Sequence, residues 1–220
     1  VKKREGSYHH GHLREALLEA AEKHVARTRA VSLTLREVAT SAGVSHTAAY
    51  RHFDDKTALL AEVARRGFER LSARLVDVRV TARTNTSEAE REELLALGEA
   101  YVAFALHEPG LFRVMWHDEV KPFTSHAGLA EAARAALDLL VMALARAHER
   151  GTLAPGLDAK TAAMIAWSTM HGHAVLALDG QLVGPFGVTD ATHSVRLVLR
   201  TLLEGLYRPS SPALTPRKKG

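Results

Sequence analysis

A short helix with almost no room to grow constrains this chain more than any other feature. Thr34-Leu35-Arg36-Glu37 is a capping box, in which the Thr34 hydroxyl accepts from the Glu37 backbone N–H while the Glu37 carboxylate reaches back to the N-cap. The helix it opens carries Val38 and Ala39 inward and meets Gly43 nine residues after its cap, where glycine takes the left-handed conformation that ends a helix. Ser45 then opens another. Two short helices about Gly43-Val44-Ser45 have the dimensions of a helix-turn-helix, whose turn is about 3 to 4 residues long; an αα-hairpin used for packing has the same outline.

The rest of the chain reads as helix. Leu13, Leu17, Ala20, Ala21, His24 and Val25 recur at helical spacing and predict a first helix over residues 10–28. Asp54 or Asp55 caps a fourth, with Leu59, Leu60, Val63, Phe68, Leu71 and Leu75 on its apolar side. Thr81 to Thr86 is polar and aperiodic, and Ser87-Glu88-Ala89-Glu90 reads as a second capping box, which sets a domain boundary near residue 85. Helical runs follow at about 88–107, 110–117, 127–150, 159–179 and 189–207, broken at Pro109-Gly110, around Pro122, and by the segments 151–156 and 180–187. No strand pattern and no internal repeat emerges, so the expected fold class is all-α, a helix-turn-helix domain joined by a long helix to a larger helical bundle. The expected division is a basic arm at 1–10, a head at 11–84 that includes the start of the connecting helix, a body at 85–208 and a disordered basic tail at 209–220.

With 46% apolar and 25% charged residues the chain can bury a sizeable core. It has no cysteine, which removes disulfides, thiolate metal sites and a cysteine nucleophile. No run approaches the roughly 18 apolar residues of a membrane span, and no signal-peptide pattern is present, so the expected place is the cytoplasm, away from membranes. Charge is divided unevenly. Residues 1–84 carry 16 basic and 10 acidic groups, residues 85–208 carry 10 and 15, and the tail carries 3 and none. A basic head on an acidic body suits a polyanion-binding module attached to a domain with another task, although an unevenly solvated surface gives the same count.

The segment TLREVATSAGVSHTAAYRHFDDK, residues 34–56, closely resembles the TetR family of transcriptional regulators. The family pattern stands here as Ala42-Gly43-Val44-Ser45, Tyr50-Arg51-His52-Phe53 and Lys56. Ser45 at a helix N-terminus leaves backbone N–H groups facing outward, and His46 and Thr47 in that first turn can reach base edges in a major groove. Tyr50, Arg51, His52 and Lys56 fall in the run that resembles the family's phosphate-contacting positions, with Thr34 adding a contact from the preceding helix; such residues fix register without reading sequence. Val44, Ala49 and Phe53 should face inward. Many relatives have glycine at the place of Thr47 and leucine at that of Ala49, so Thr47 could itself touch a base. The lead-in Tyr8-His9-His10-Gly11-His12-Leu13-Arg14 also resembles relatives, and Lys2, Lys3 and Arg4 ahead of it could follow the DNA backbone or minor groove.

In the body, Ala166-Trp167-Ser168-Thr169-Met170-His171-Gly172 resembles the Trp-His-Gly signature of one C-terminal domain type of that family. Trp167 and His171 share a helix face, and Gly172 would permit close approach of a neighbour. They are read either as core or as cavity lining, together with Tyr101, Phe104, Phe112, Met115, Trp116, Met142 and Met170, which could converge on an apolar pocket. No cofactor is expected. Seven histidines follow residue 100, but His171 and His173 point to different sides of a helix and no metal motif is present. Nor is there a nucleotide loop, nucleophile elbow or carboxylate-metal motif, so the chain is not expected to be an enzyme. The resemblance implies a homodimer that binds double-stranded operator DNA as a repressor and is released by a small-molecule effector. Candidate pairing surfaces are Ala162, Ala163, Ala166 and Met170 with Val195, Val198, Leu199 and Leu202, each read as facing either a partner or its own core.

Overall fold

The computed structural model describes residues 10–28, 31–81 and 86–207. The expected basic arm, apart from His10, and the expected tail lie outside the described residues. The elements are α1 (His10–Thr28), α2 (Leu35–Ser41), α3 (His46–Tyr50), α4 (Lys56–Thr81), α5 (Ser87–His107), α6 (Pro109–Met115), α7 (Ala127–Glu149), α8 (Ala159–Leu178), α9 (Val183–Phe186) and α10 (Ala191–Leu206). Single 3₁₀ turns at Asp118–Val120 and Phe123–Ser125 join α6 to α7. Among the described residues there is no strand, only one antiparallel bridge between Leu153 and Tyr207. No helix there is long and apolar enough to cross a membrane.

Local chemistry sets the helix ends. The Thr34 box forms as expected: Glu37 N donates to Thr34 Oγ1 at 3.2 Å and Thr34 N donates to Glu37 Oε2 at 2.7 Å, a cap worth about 1 kcal/mol. Gly43 has φ +70, a conformation costly for other residues. Asp55 is the residue that caps α4, accepting from Ala58 N at 2.8 Å. The second predicted box is corrected by one residue. Thr86, with extended backbone, is the N-cap of α5 and accepts from Ala89 N at 3.2 Å, so Ser87 already stands in the first turn. The short α9 and the two 3₁₀ turns occupy segments read as loops, because so few residues cannot display a period.

The head packs α1, α2 and α3 around Leu17, Leu18, Val38, Ala39, Ala49 and Phe53. Arg66 bonds Glu15 and Glu22, Arg70 bonds Glu22, and Arg14 reaches Glu62 at 3.2 Å, tying α1 to α4. Helix α4 then runs into the body and packs on α5, α6 and α7. Helix α6 also contacts α1, and Gly110 makes that contact possible: a Cβ there would stand 2.0 Å from the Val25 carbonyl oxygen. A similar close approach joins α5 to α10, where a Cβ on Gly98 would meet Leu199 Cδ1 at 2.0 Å.

Gly172 differs from its expected role, since a Cβ there would meet nothing within 4 Å. It lies on the outward face of α8, in line with the exposed Met164 and Leu176. Six of the eight candidate pairing residues, Ala162, Ala163, Ala166, Met170, Val195 and Leu199, are buried in the protomer's own bundle. Val198 is exposed and Leu202 half-buried. Leu197, Val198, Thr201 and Gly205 face outward on α10, beside the exposed His193, Arg200 and Glu204.

Candidate functional site

Helix α3 has two unlike faces. Ala49 is fully buried, Phe53 just beyond the helix is nearly so, and Val44 before it is half-buried. Arg14 lies over the Phe53 ring at 5.2 Å. This anchors α3 from one side. On the other, His46, Thr47, Tyr50 and Arg51 are exposed, Tyr50 by 50%. Ser45 caps the helix by accepting from Ala48 N at 3.2 Å, and His46 Nε2 lies 3.4 Å from Thr40 Oγ1 of α2.

The remaining predicted contacts are less free. His52 is half-buried. The Thr34 hydroxyl donates to Glu37 Oε2 at 2.9 Å while accepting from Glu37 N, so it could serve a phosphate as a donor only by giving up its bond to Glu37 Oε2. The bonds that the Thr34 hydroxyl and backbone N–H donate to the Glu37 carboxyl hold it below the usual carboxylate range. Lys56 is half-buried, and its Nζ lies 2.8 Å from Glu119 Oε1 in the 3₁₀ turn after α6. Nothing in the sequence pattern singled out Glu119.

Ion pairs line α1 and α4. Glu15, Glu22, Glu62 and Glu69 are all paired with arginines along α1 and α4. Glu62 is held below its ordinary pKa first by its bond to Arg65, against the opposing effect of burial. Arg36 and Arg51 pair with no carboxylate among the described residues, and Glu37, Asp54 and Asp55 pair with no cation there, so the charge around α2 and α3 is mixed rather than net positive.

The body encloses a cavity of about 370 Å³, within the range of small-molecule sites. Its walls are Phe68, Leu71 and Leu75 of α4, Leu97 and Tyr101 of α5, Trp116 and Phe123 from the α6–α7 connection, Ala133, Leu137 and Leu140 of α7, and Trp167 and Met170 of α8. Of the predicted lining, Tyr101, Trp116, Trp167 and Met170 are therefore brought together. Phe112 and His171 sit beside them and line an adjoining open cleft, which Trp116 shares and which also holds Lys56, Glu119, Arg113 and Asp179. Phe104, Met115 and Met142 line neither, a correction of their expected place. Phe104 packs beneath Arg74, Met115 fills the space left by Gly67, and Met142 is 52% exposed. On α7 the expected residue, Met142, faces out, and the lining comes instead from Ala130, Ala133, Leu137 and Leu140, which recur at the spacing of one helix face.

A polar cluster stands at the junction of cavity and cleft. Tyr101 Oη lies 2.8 Å from His171 Nδ1. Burial pushes the tyrosine pKa well above its ordinary value, opposed in smaller measure by the indoles of Trp167 and Trp116. His171 is pushed below 6.5, first by burial and then by the charge of Lys121. At neutral pH the phenol thus donates to a neutral imidazole, whose proton resides on Nε2. Trp116 approaches the phenol oxygen, but its buried Nε1 makes no hydrogen bond of ordinary geometry. Two residues beyond His171, His173 is spent on structure, with its Nε2 2.9 Å from the Ala191 carbonyl oxygen and from Ser194 Oγ.

Residues 17–63 match the family model described as bacterial regulatory proteins, tetR family, and residues 94–202 match the Tetracyclin repressor-like, C-terminal domain. A structure of a protein with unknown function from Rhodococcus sp. RHA1 is 36% identical over 93% of this chain and 100% of that one, with TM-score 0.76. The TetR family regulator PfmR from Thermus thermophilus is 20% identical over 87% of this chain and 99% of its own, with TM-score 0.62. The structure of SmeT with triclosan is 23% identical over 94% of this chain and 99% of its own, with TM-score 0.59. No curated protein matches the chain.

Proposed function

Because the chain belongs to the TetR family of transcriptional regulators, we propose that it is a homodimeric repressor which a small organic effector releases from a palindromic operator. The observation that carries this reading is the exposed face of α3, where His46, Thr47, Tyr50 and Arg51 point away from a buried Ala49. His46 and Thr47 read base edges, while Tyr50, Arg51, His52 and Lys56 hold the backbone. Ser45 positions α3 through its cap, and Thr34 does the same for α2.

One short helix reads only a few base pairs, so two are needed about 34 to 36 Å apart, one turn of DNA or a multiple. The outward stripes of α8 (Met164, Ser168, Gly172, Leu176) and α10 (Leu197, Val198, Thr201, Gly205) supply the pairing surface. The effector occupies the cavity of the body, as triclosan accompanies the structurally similar SmeT. Head and body divide near residue 85, with α4 belonging to both, since Phe68, Leu71 and Leu75 line the cavity.

Coupling between the sites runs through α6 and the turn after it. Trp116 lines the cavity, Glu119 three residues later holds Lys56, and α6 packs on both α1 and α4. A ligand that displaces Trp116 therefore acts on the elements that set the pose of α3 and the freedom of Lys56. By linkage, operator DNA must weaken effector binding by the same factor.

The test is selection of duplexes from a random pool by the purified protein, then anisotropy titration of the enriched sequence at several salt concentrations. An enriched near-palindrome whose binding is lost in a His46→Ala/Thr47→Ala variant supports the regulator. Equal, purely salt-sensitive binding to any duplex overturns it.

A further inference from the structure

The lining of the cavity selects among ligand chemistries. Four aromatic side chains form one wall, with ring centroids 5.1 Å apart for Phe68 and Trp116, 5.5 Å for Trp116 and Trp167, and 5.9 Å for Trp116 and Phe123. Such rings would also suit an organic cation, but the charges around them do not. No carboxylate lines the cavity among the described residues, and its one charged lining side chain is Arg134. Arg134 is exposed, as is the lining residue Thr124, so the mouth lies between α7 and the 3₁₀ turn that holds Thr124. Glu131 and Asp138 stand one turn to either side of Arg134 on α7, yet it pairs with no carboxylate among the described residues. An unpaired guanidinium at the mouth calls for an acceptor. A cation would meet like charge at the entrance, whereas an anion gains a charge-assisted bond without breaking an existing ion pair.

We propose that the cavity takes an organic anion, a flat aromatic or polycyclic body bearing one carboxylate or comparably acidic group, with Arg134 as its counter-charge. This rests on the reading of the cavity as the effector site.

The chain's two tryptophans, Trp116 and Trp167, both line the cavity, so their fluorescence reports its occupancy. The full chain is titrated with biphenyl-4-carboxylate, biphenyl-4-carboxamide and biphenyl-4-ylmethylammonium, which share a body and differ in charge. The carboxylate is expected to bind up to about five-fold tighter than the amide, as an ion pair with an exposed arginine supplies, with the ammonium weakest. Arg134→Gln should bring carboxylate and amide to within about two-fold of each other while leaving the amide's affinity unchanged, because that affinity comes from the aromatic wall. Equal binding of carboxylate and amide, a tighter ammonium, or an anion preference that survives Arg134→Gln overturns the proposal but leaves the cavity as a ligand site. An Ala133→Phe variant, which fills the cavity, must abolish every response. If none of the three compounds gives a saturable signal, or if Ala133→Phe changes nothing, the effector reading of the cavity falls as well.

Discussion

Every head residue proposed to meet DNA lies between Thr34 and Lys56, on α3, at the start of α4 or in the residues that flank α2 and α3, whereas the cavity draws its walls from residues 68 to 170 on four helices and a connection. On α3 the proposed contact residues are exposed, and burial is left to Ala49 and Phe53. In the body the same side chains do both tasks: Phe68, Leu71, Tyr101 and Met170 are core residues and cavity lining at once. A surface site can therefore change its specificity at little cost in stability, while an internal site cannot change its ligand without repacking its core.

The largest expected effect tests the separable side of that contrast. His46→Ala with Thr47→Ala should weaken binding to the selected operator on the order of 100-fold, since each good base contact contributes about 1–3 kcal/mol. The melting temperature should move by no more than about 2 to 4 °C, as two surface changes together cost at most about 1 kcal/mol and each kcal/mol shifts a domain of this size by roughly 2–4 °C. Anisotropy and thermal melts on one preparation decide it. A large fall in melting temperature would mean that the α3 face also holds the head together.

Next come two glycines that the sequence could not tell apart. Gly110→Ala places a carbon 2.0 Å from the Val25 carbonyl oxygen, a backbone clash between α6 and α1 expected to cost about 1–3 kcal/mol. The added carbon of Gly172→Ala meets nothing within 4 Å among the described residues, and in a helix interior it should stabilise by up to about 1 kcal/mol. Because Gly172 lies on the proposed pairing face, sedimentation of that variant also tests the dimer. A stable fold with weakened self-association would place the interface there, and unchanged association would move it away.

This pair also shows what the sequence made legible. The head could be read because its signals are local: Thr34 and Glu37 find each other across one turn, Gly43 needs only its own φ, and the motif to Lys56 is contiguous. Helix periods, and hence the all-α class, were legible for the same reason. The cavity was only partly so. Tyr101, Trp116, Trp167 and Met170 were identifiable by residue type, but type alone could not separate them from Phe104 and Met115, equally apolar and turned into the core. Glu119 and Arg134 carried no signal at all, because an ordinary charged residue acquires meaning only from what the fold sets beside it.

A smaller effect concerns the polar cluster at the edge of the cavity. Since the folded pKa of His171 is depressed, the neutral imidazole is the form the native state favours. Its contribution is fully present above the ordinary value of 6.5 and is lost as pH falls through the lower folded value. Melting temperature should therefore drop more steeply below pH 6.5 in the wild type than in His171→Asn, which keeps a polar side chain but does not titrate. Parallel pH profiles would show that the Tyr101–His171 bond contributes nothing that protonation can remove.

The smallest effect probes the Lys56–Glu119 ion pair, which joins the two regions. Lys56 and Glu119 are each about one-third exposed, so their bond is worth no more than about 1 kcal/mol. If Glu119 competes with phosphate for Lys56, Glu119→Gln should tighten operator binding by up to about five-fold, and Lys56→Gln should weaken it and lower the salt slope by about 1. Removing any acidic group near DNA also raises affinity through long-range charge, so the single variant does not identify the cause. The double variant does. Loss of a competitor has no consequence once Lys56 is gone, whereas a general charge effect persists, screened by salt but indifferent to which lysine is present. Operator affinity that still rises on Glu119→Gln in the Lys56→Gln background would break the proposed link, leaving α6 and its contacts with α1 and α4 as the route between cavity and recognition helix.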